Sequence, residues 1–426
     1  MKVLMISANT EQINMPVLPI GLACVAEAVQ RAGHEVKLVN PGAASPSRSA
    51  IAVAIGELQP EVIGISVRNI DDQVMAKPRF LLEPVRAMVA ACRELSSAPI
   101  ILGGAGFSIF PQSALAYLGA DMGIQGEGEA AFPMLLECLR RRTDCSGIPG
   151  LVLPGSIIKR KAHSIKHLDD FPLPLPAAHP ACFSLPTDQP IWLPFQTRRG
   201  CPMQCSYCST STIEGRTLRK RSPEMVTKAL SQYVEAGFSR FFFVDNTFNL
   251  PASYARTLCD HIAQMDLPIE WRCILYPWRI DEDLVKKMVR AGCVEVSLGF
   301  ESGSREILRA MNKRFEPDEV RHISGLLKKF GIARMGFLLL GGPGETRETV
   351  TASLAFADSL DLESVKVTTG IRIYPGTNLA RIALREGVIS PHDNLLLPAF
   401  YLARGLEPWL GETIGHWLAQ RPHWHG

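Results

Sequence analysis

Three of the eleven cysteines, Cys201, Cys205 and Cys208, fall within eight residues of one another. Three thiolates this close do not complete a tetrahedral zinc site without a fourth ligand, and no partner Cys/His pair stands near them in sequence. They do suit three corners of a cubane iron–sulfur cluster, whose thiolates come from short loops of this kind. A fourth iron without a protein thiolate stays open to an outside ligand. Such an iron can hold a small molecule and pass it an electron, which is chemistry rather than storage. The other cysteines (Cys24, Cys92, Cys138, Cys145, Cys182, Cys259, Cys273 and Cys293) are scattered, mostly in apolar stretches, and read as small buried hydrophobes.

Other polar groups stand where apolar runs end. Asp245-Asn246 follows Arg240–Val244, Glu301-Ser302 follows Val294–Gly299, and Gly341-Gly342-Pro343-Gly344-Glu345 follows Arg334–Leu340. Asp245 and Glu301 contact a ligand or cap the next helix, the one after Glu301 beginning near Ser304. Arg272, on the run Glu270–Ile274, reaches an anion or fills a layer as an ion pair. Tyr374 lines a substrate site or packs, and Tyr401 is read as packing.

The elements that must position these residues follow from the pattern. Residues 1–145 alternate short Val/Ile/Leu strands (Lys2–Ser7, Glu35–Asn40, Val62–Val67, Ile100–Leu102) with helices. The helix over 20–32 stops at Gly33, and the last helix covers Ala130–Arg141. Near-continuous apolar strands between helices predict a parallel sheet covered on both faces, a doubly wound α/β domain. Residues 146–192 gather prolines and a basic run, Lys159 to Lys161, and read as an extended linker with a solvated turn. From Leu193 a βα unit recurs, with strands Leu193–Thr197, Arg240–Val244, Glu270–Ile274, Val294–Gly299, Arg334–Leu340 and Val365–Ile373. Helices such as Glu224–Ala236, Asp281–Arg290 and Arg347–Ser359 lie between them. Six units predict a partial barrel over 193–376, and 377–426 reads as an irregular tail.

In the first domain neither a Gly-x-Gly-x-x-Gly nor a Walker-type Gly-Lys-Ser/Thr stands at a strand end, which argues against NAD, FAD and nucleoside triphosphates. What stands there is Arg68-Asn69-Ile70-Asp71-Asp72 after the third strand, Gly103-Gly104 after the fourth, and Gly126-Glu127-Gly128-Glu129 before the last helix. Glycines at such ends let the backbone approach a large planar ligand. Composition narrows the partners. With 45 basic and 42 acidic side chains and a net charge of +3, no footprint for nucleic acid or an anionic membrane is visible. No apolar run approaches the roughly 20 residues of a membrane helix. The opening MKVLMISANT carries no signal-like segment, so a cytoplasmic protein is expected.

Cys-x-x-x-Cys-x-x-Cys with Tyr207 before the last cysteine, in the loop after a barrel's first strand, resembles the radical S-adenosylmethionine (SAM) superfamily. The resemblance implies that the open iron of a [4Fe-4S] cluster chelates SAM and that reductive cleavage gives a 5′-deoxyadenosyl radical. It also implies SAM contacts from Tyr207, Asp245, Asn246, Arg272, Glu301, Ser302, Gly342 and Gly344. The first domain, the Pro-rich stretch and Thr197-Arg198-Arg199-Gly200-Cys201-Pro202 together resemble the cobalamin-dependent members of that superfamily. Cobalamin contacts are then expected from Arg68, Asn69, Asp71, Gly103, Gly104, Gly126, Glu127, Gly128 and Glu129 in a Rossmann-like domain, followed by a (β/α)6 TIM-type partial barrel. The Asp-x-His-x-x-Gly signature of a lower axial histidine is missing, and His34 sits between a helix and a strand on the far side of the sheet. Arg68 is the only cation of the loop after the third strand. It faces the cobalt, where a guanidinium blocks water without ligating, or pairs with Asp71 or Asp72.

Most such relatives resemble methyltransferases of unactivated carbon or phosphorus centres, in which SAM serves as both methyl and radical source. A non-methylating relative (cyclisation, ring contraction, oxidation) is the alternative, and a cobalamin or redox sensor without catalysis a further one. A methylthiotransferase is disfavoured, because no second three-cysteine cluster appears. The short tail favours a small-molecule substrate, and a flavodoxin or ferredoxin is the expected electron donor. Arg68 and Tyr374 are the candidates for catalytic roles.

Overall fold

The computed structural model describes residues 1–10, 18–40, 48–156, 162, 164–183 and 191–426; Lys159 to Lys161 lie outside the described residues. The chain divides into two compact units. One comprises Met1–Asp72, Arg79–Ile191 and Thr212–Gly215, the other Gln73–Pro78, Trp192–Ser211 and Arg216–Gly426.

The first unit is built on six strands: β1 (Lys2–Ser7), β2 (Glu35–Val39), β3 (Val62–Ser66), β4 (Ile100–Gly103), β5 (Met122–Ile124) and β6 (Leu151–Val152). Their order is β2-β1-β3-β4-β5-β6, parallel except for β6. Val3, Met5, Val62 and Ile101 pack under Leu22, Ala26 and Val29 of helix Ile20–Arg31 and Phe132, Leu135 and Leu136 of helix Gly128–Arg141. This is the doubly wound sheet expected from continuous apolar strands. The described part of the Pro-rich stretch contributes elements to this unit. Leu151 and Val152 form the antiparallel edge strand, and a short helix, Pro180–Phe183, belongs to the same unit. Two-residue strands carry too little pattern to stand out among prolines.

The second unit carries β7 (Leu193–Phe195), a small antiparallel pair β8 (Arg198–Arg199) and β9 (Arg219–Lys220), then β10 (Arg240–Phe243), β11 (Glu270–Leu275), β12 (Cys293–Glu301), β13 (Ala333–Leu340) and β14 (Ser364–Thr369). The order β7-β10-β11-β12-β13-β14 is parallel throughout, a six-stranded partial barrel. Burial alternates along β10, β11 and β13 and less regularly on β12. Phe241, Phe243, Trp271, Cys273, Val296, Leu298, Leu338 and Leu340 are buried, while Phe242, Arg272, Glu295, Phe337 and Leu339 on the opposite face are partly open. The expected last strand, Val365–Ile373, breaks at Gly370 (φ +72°), and β15 (Ile371–Arg372) turns away to pair with β16 (Phe400–Tyr401). The tail is ordered rather than irregular. It supplies β16 and helices Asn378–Arg385 and Trp409–Ala419, and His425 bridges the outer edge of β14 through Val365 and Val367. Covering that edge removes an unpaired ladder.

Candidate active site

The cysteine loop starts from a buried anchor. The carboxylate of Asp245, just past β10, accepts hydrogen bonds from the Thr197 N–H (2.8 Å), the Thr197 hydroxyl (2.5 Å) and the Arg198 N–H (3.0 Å). Arg198 pairs with it at 3.2 Å and donates to the carbonyls of Phe248 and Leu250 at 2.6 and 2.8 Å. Both side chains are fully buried. With no exposed surface and both oxygens occupied, the Asp245 carboxylate ties down the start of the loop. Its neighbour Asn246 is half-buried, with Oδ1 3.5 Å from the Thr210 hydroxyl, which accepts from the Cys208 thiol at 3.2 Å.

The loop is gripped through its backbone. The Ser206 N–H donates to the Met311 carbonyl (3.0 Å), the Ser206 carbonyl accepts from the Leu379 N–H (2.8 Å), and the Asn312 amide donates to the Gln204 carbonyl (2.7 Å). The thiols of Cys201, Cys205 and Cys208 are left half-buried. Among the described residues no three His, Cys, Asp or Glu side chains converge on a single metal ion. Three thiols on one short loop suit three separate irons of a cubane.

Glu301 approaches this loop from β12. The register against β13 slips between Gly299 and Glu301, and Glu301 adopts φ +60°, uncommon for a residue with a Cβ. One carboxylate oxygen accepts from the Tyr207 hydroxyl and from the Lys313 ammonium, both at 3.0 Å. Lys313, 4% exposed, lies over the rings of Tyr207, Tyr276 and Phe315 at 5.3, 5.8 and 5.9 Å. Burial opposes its charge, but the Glu301 carboxylate beside it holds its pKa well above the ordinary value. Burial likewise pushes the Tyr207 phenol up. Sequence reasoning missed Lys313, the counter-ion of the half-buried Glu301.

Ser302 is the next residue along the chain after Glu301. It is fully buried, 2.9 Å from the Ser353 hydroxyl, and accepts from the Ser304 N–H, while Ser304 itself caps helix Arg305–Ala310. Arg272 takes the ion-pair reading, 3.5 Å from Glu295 and between the rings of Trp192 and Phe242 at 4.7 and 4.9 Å. In the glycine turn the N–H groups of Gly341 and Gly342 are spent on Glu345, at 2.5 and 2.9 Å. Gly341 is required there, since its φ is +96° and a Cβ would sit 2.5 Å from Leu402. Gly344 has open space around it. Tyr374 is half-buried with Arg372 stacked at 5.3 Å, and Tyr401 is buried with its hydroxyl on Glu386 at 2.7 Å.

In the first unit Arg68 is exposed and makes no ion pair or hydrogen bond to a described residue. Asp72 is engaged instead by the Arg79 N–H (3.1 Å) and guanidinium (2.9 Å), and Asp71 is buried. Asn69 is half-buried. Glycines after β4 answer a tight loop rather than a ligand alone: a Cβ on Gly104 (φ +100°) would lie 2.5 Å from the Val67 carbonyl oxygen, whereas Gly103 faces open space. Gly126 donates its N–H to the Ser108 hydroxyl at 3.0 Å, and Gly128 opens the last helix against Val25. Glu127 is buried with its carboxylate accepting from the Ile165 N–H at 2.5 Å, and Glu129 is buried in the first helical turn. His34 lies beside the N-terminal amine (3.2 Å), at the start of β1 and β2 and away from the strand ends that carry Arg68.

Family comparisons match part of each unit. A model described as the B12 binding domain matches residues 6–136, and the Radical SAM superfamily model matches residues 196–357. The chain carries a B12-binding domain followed by a radical SAM domain. Its cofactors are accordingly SAM, a [4Fe-4S] cluster and cobalamin. The enzyme is 29% identical over 404 residues to an uncharacterized methyltransferase of Pyrococcus horikoshii, spanning 91% of this chain and 84% of that protein. It is 25% identical over 443 residues to the cytidylyl-2-hydroxyethylphosphonate methyltransferase of Streptomyces wedmorensis, spanning 88% and 80%. The radical SAM methyltransferase TsrM from Kitasatospora setae, solved with cobalamin and a [4Fe-4S] cluster bound, shares the fold at a TM-score of 0.85 and 20% identity, over 99% of this chain and 92% of that one. No helix among the described residues is long and apolar enough to cross a membrane.

Proposed function

We propose that the enzyme transfers a methyl group from SAM to an unactivated carbon or phosphorus centre of a small molecule. The observation that carries this reading is that proteins named as methyltransferases match across both domains and most of their own length. When bound, the cluster and SAM supply a substrate radical and cobalamin supplies a transferable methyl group; the protein supplies register. Cys201, Cys205 and Cys208 hold the cluster on a loop fixed by Asp245, Arg198 and Asn312. Asn246, Tyr207 and Glu301 border that loop and are assigned to SAM. Arg68, unpaired at the end of β3, is assigned to the face of the cobalt. A guanidinium has no lone pair and stays charged, so it shields that face from water without ligating.

The test is anaerobic incubation with methyl-labelled SAM and a small-molecule extract. Label in a stable product, lost with Cys205→Ala, is the expected result. Formation of 5′-deoxyadenosine without label in any product contradicts methylation and leaves the non-methylating alternative.

A further inference from the structure

We propose that the outer face of helix Asn378–Arg385 is the docking surface for an acidic one-electron carrier protein that reduces the cluster; the inference rests on the cluster reading of the three cysteines. The helix starts on the cysteine loop. Its Leu379 N–H, one of the donors that a helix start leaves without an intrahelical partner, is spent on the carbonyl of Ser206, between Cys205 and Cys208, at 2.8 Å. A helix of eight residues is about 12 Å long, so its whole outer face stays close to that loop.

Leu379 and Ala383 face the interior. Arg381, Leu384 and Arg385, three and four positions apart, share the exposed side. The helix closes in a Schellman turn: the Gly387 N–H (φ +74°) donates to the Leu384 carbonyl at 3.2 Å, and the Val388 N–H to that of Ala383 at 2.8 Å. Leu384 and Val388 are each 42% exposed.

Exposed apolar residues standing singly need no explanation; these stand among cations that lack a carboxylate. On other helices Arg256 pairs with Asp281 and Asp283, and Arg305 and Arg309 pair with Glu316. Arg381 and Arg385 make no ion pair or side-chain hydrogen bond to a described residue. Arg404 donates to the Glu386 carbonyl at 3.1 Å, while the Glu386 carboxylate accepts from the Tyr401 hydroxyl at 2.7 Å. An apolar centre with a cationic rim complements an acidic partner. Electron-transfer encounters bury small areas, under about 1,200 Å² in total, which suits one helix face and its rim. One electron leaves the carrier and enters the cluster, which passes from the 2+ to the 1+ state; no bond or proton moves.

The experiment mixes anaerobically loaded protein, its iron content verified, with reduced flavodoxin or reduced ferredoxin and follows cluster absorbance by stopped flow. Carrier binding is measured separately by titration calorimetry. Reversing both charges, Arg381→Glu with Arg385→Glu, is expected to slow carrier-driven reduction and weaken binding at least tenfold, and to flatten the salt dependence of the rate. Reduction by dithionite, a small reagent that needs no protein surface, stays unchanged, and Arg381→Lys with Arg385→Lys keeps the wild-type rate. Equal carrier-driven rates in wild type and the reversed variant overturn the proposal. So does wild-type protein that dithionite reduces and neither carrier does, or a wild-type dimer that the reversal dissociates, which gives the face to a second copy. Should the reversed variant lose iron, Leu384→Ser decides, and a carrier-driven rate equal to wild type overturns the proposal. Wild-type protein that takes up no iron overturns the cluster reading instead, an outcome separate from an unmoved rate.

Discussion

Glu345 shows what burial does to a carboxylate in this barrel. It is 3% exposed, one oxygen accepts from the Gly341 and Gly342 N–H groups, and the other has no partner among the described residues. Burial pushes its pKa up from 4.5 to about 7, against the pull of those two N–H groups. A pKa raised on folding stabilises the fold below the unfolded value and loses that contribution as pH rises through the folded one. Stability is therefore expected to fall by roughly 3 kcal/mol between about pH 4.5 and 7 on this account. Glu345→Gln flattens that part of the profile in urea unfolding, and parallel profiles for the two proteins contradict the assignment. Asp245→Ala strips the Thr197 turn of its acceptor and leaves Arg198 buried beside no carboxylate, a loss of about 3 kcal/mol or more. Iron uptake falls with it, and full iron retention would show that the loop does not depend on Asp245. At this scale the sequence displayed the three cysteines as a cluster by their spacing, whereas Tyr207 and Glu301 were named together only through the family resemblance. The burial of Asp245, Ser302 and Glu127 was not legible in it. A polar residue at a strand end reads the same whether it faces a ligand or ties down the next loop, and only burial separates the two.

Elements succeed or fail by the strength of their pattern. The long apolar strands and amphipathic helices were readable, and helix Arg347–Ser359 has the expected limits, closed by a reciprocal cap between Thr346 and Thr349. Strand β6, the pair β15–β16 and the tail helices were not, because two-residue strands have no period and a stop such as Gly370 is visible only as a backbone angle. The turn between β4 and the next helix offers a direct check. Gly104 holds φ +100° with the Val67 carbonyl 2.5 Å from where a Cβ would sit. Gly104→Ala is expected to destabilise the first unit by about 2 kcal/mol or more, from a strained backbone and a displaced loop after β3. Visible absorbance of added cobalamin should show weaker binding as well. An unshifted unfolding midpoint would mean that the loop yields without cost.

At the scale of the whole chain, two α/β units carry their polar residues at strand C-terminal ends, where such sheets and barrels assemble sites. Arg68 marks the one and the cysteine loop the other. Arg68→Ala is expected to let water onto the cobalt, visible as a shift in the absorption of bound cobalamin, whereas an unchanged spectrum would place Arg68 elsewhere. The most direct measurement is the iron and cobalt content of protein produced with cobalamin and purified without oxygen. The account predicts about four irons and one cobalt per chain, with Cys205→Ala losing iron but keeping cobalt. Iron without cobalt would contradict the role given to the strand ends of the first unit, and folded protein with neither metal would contradict the account as a whole.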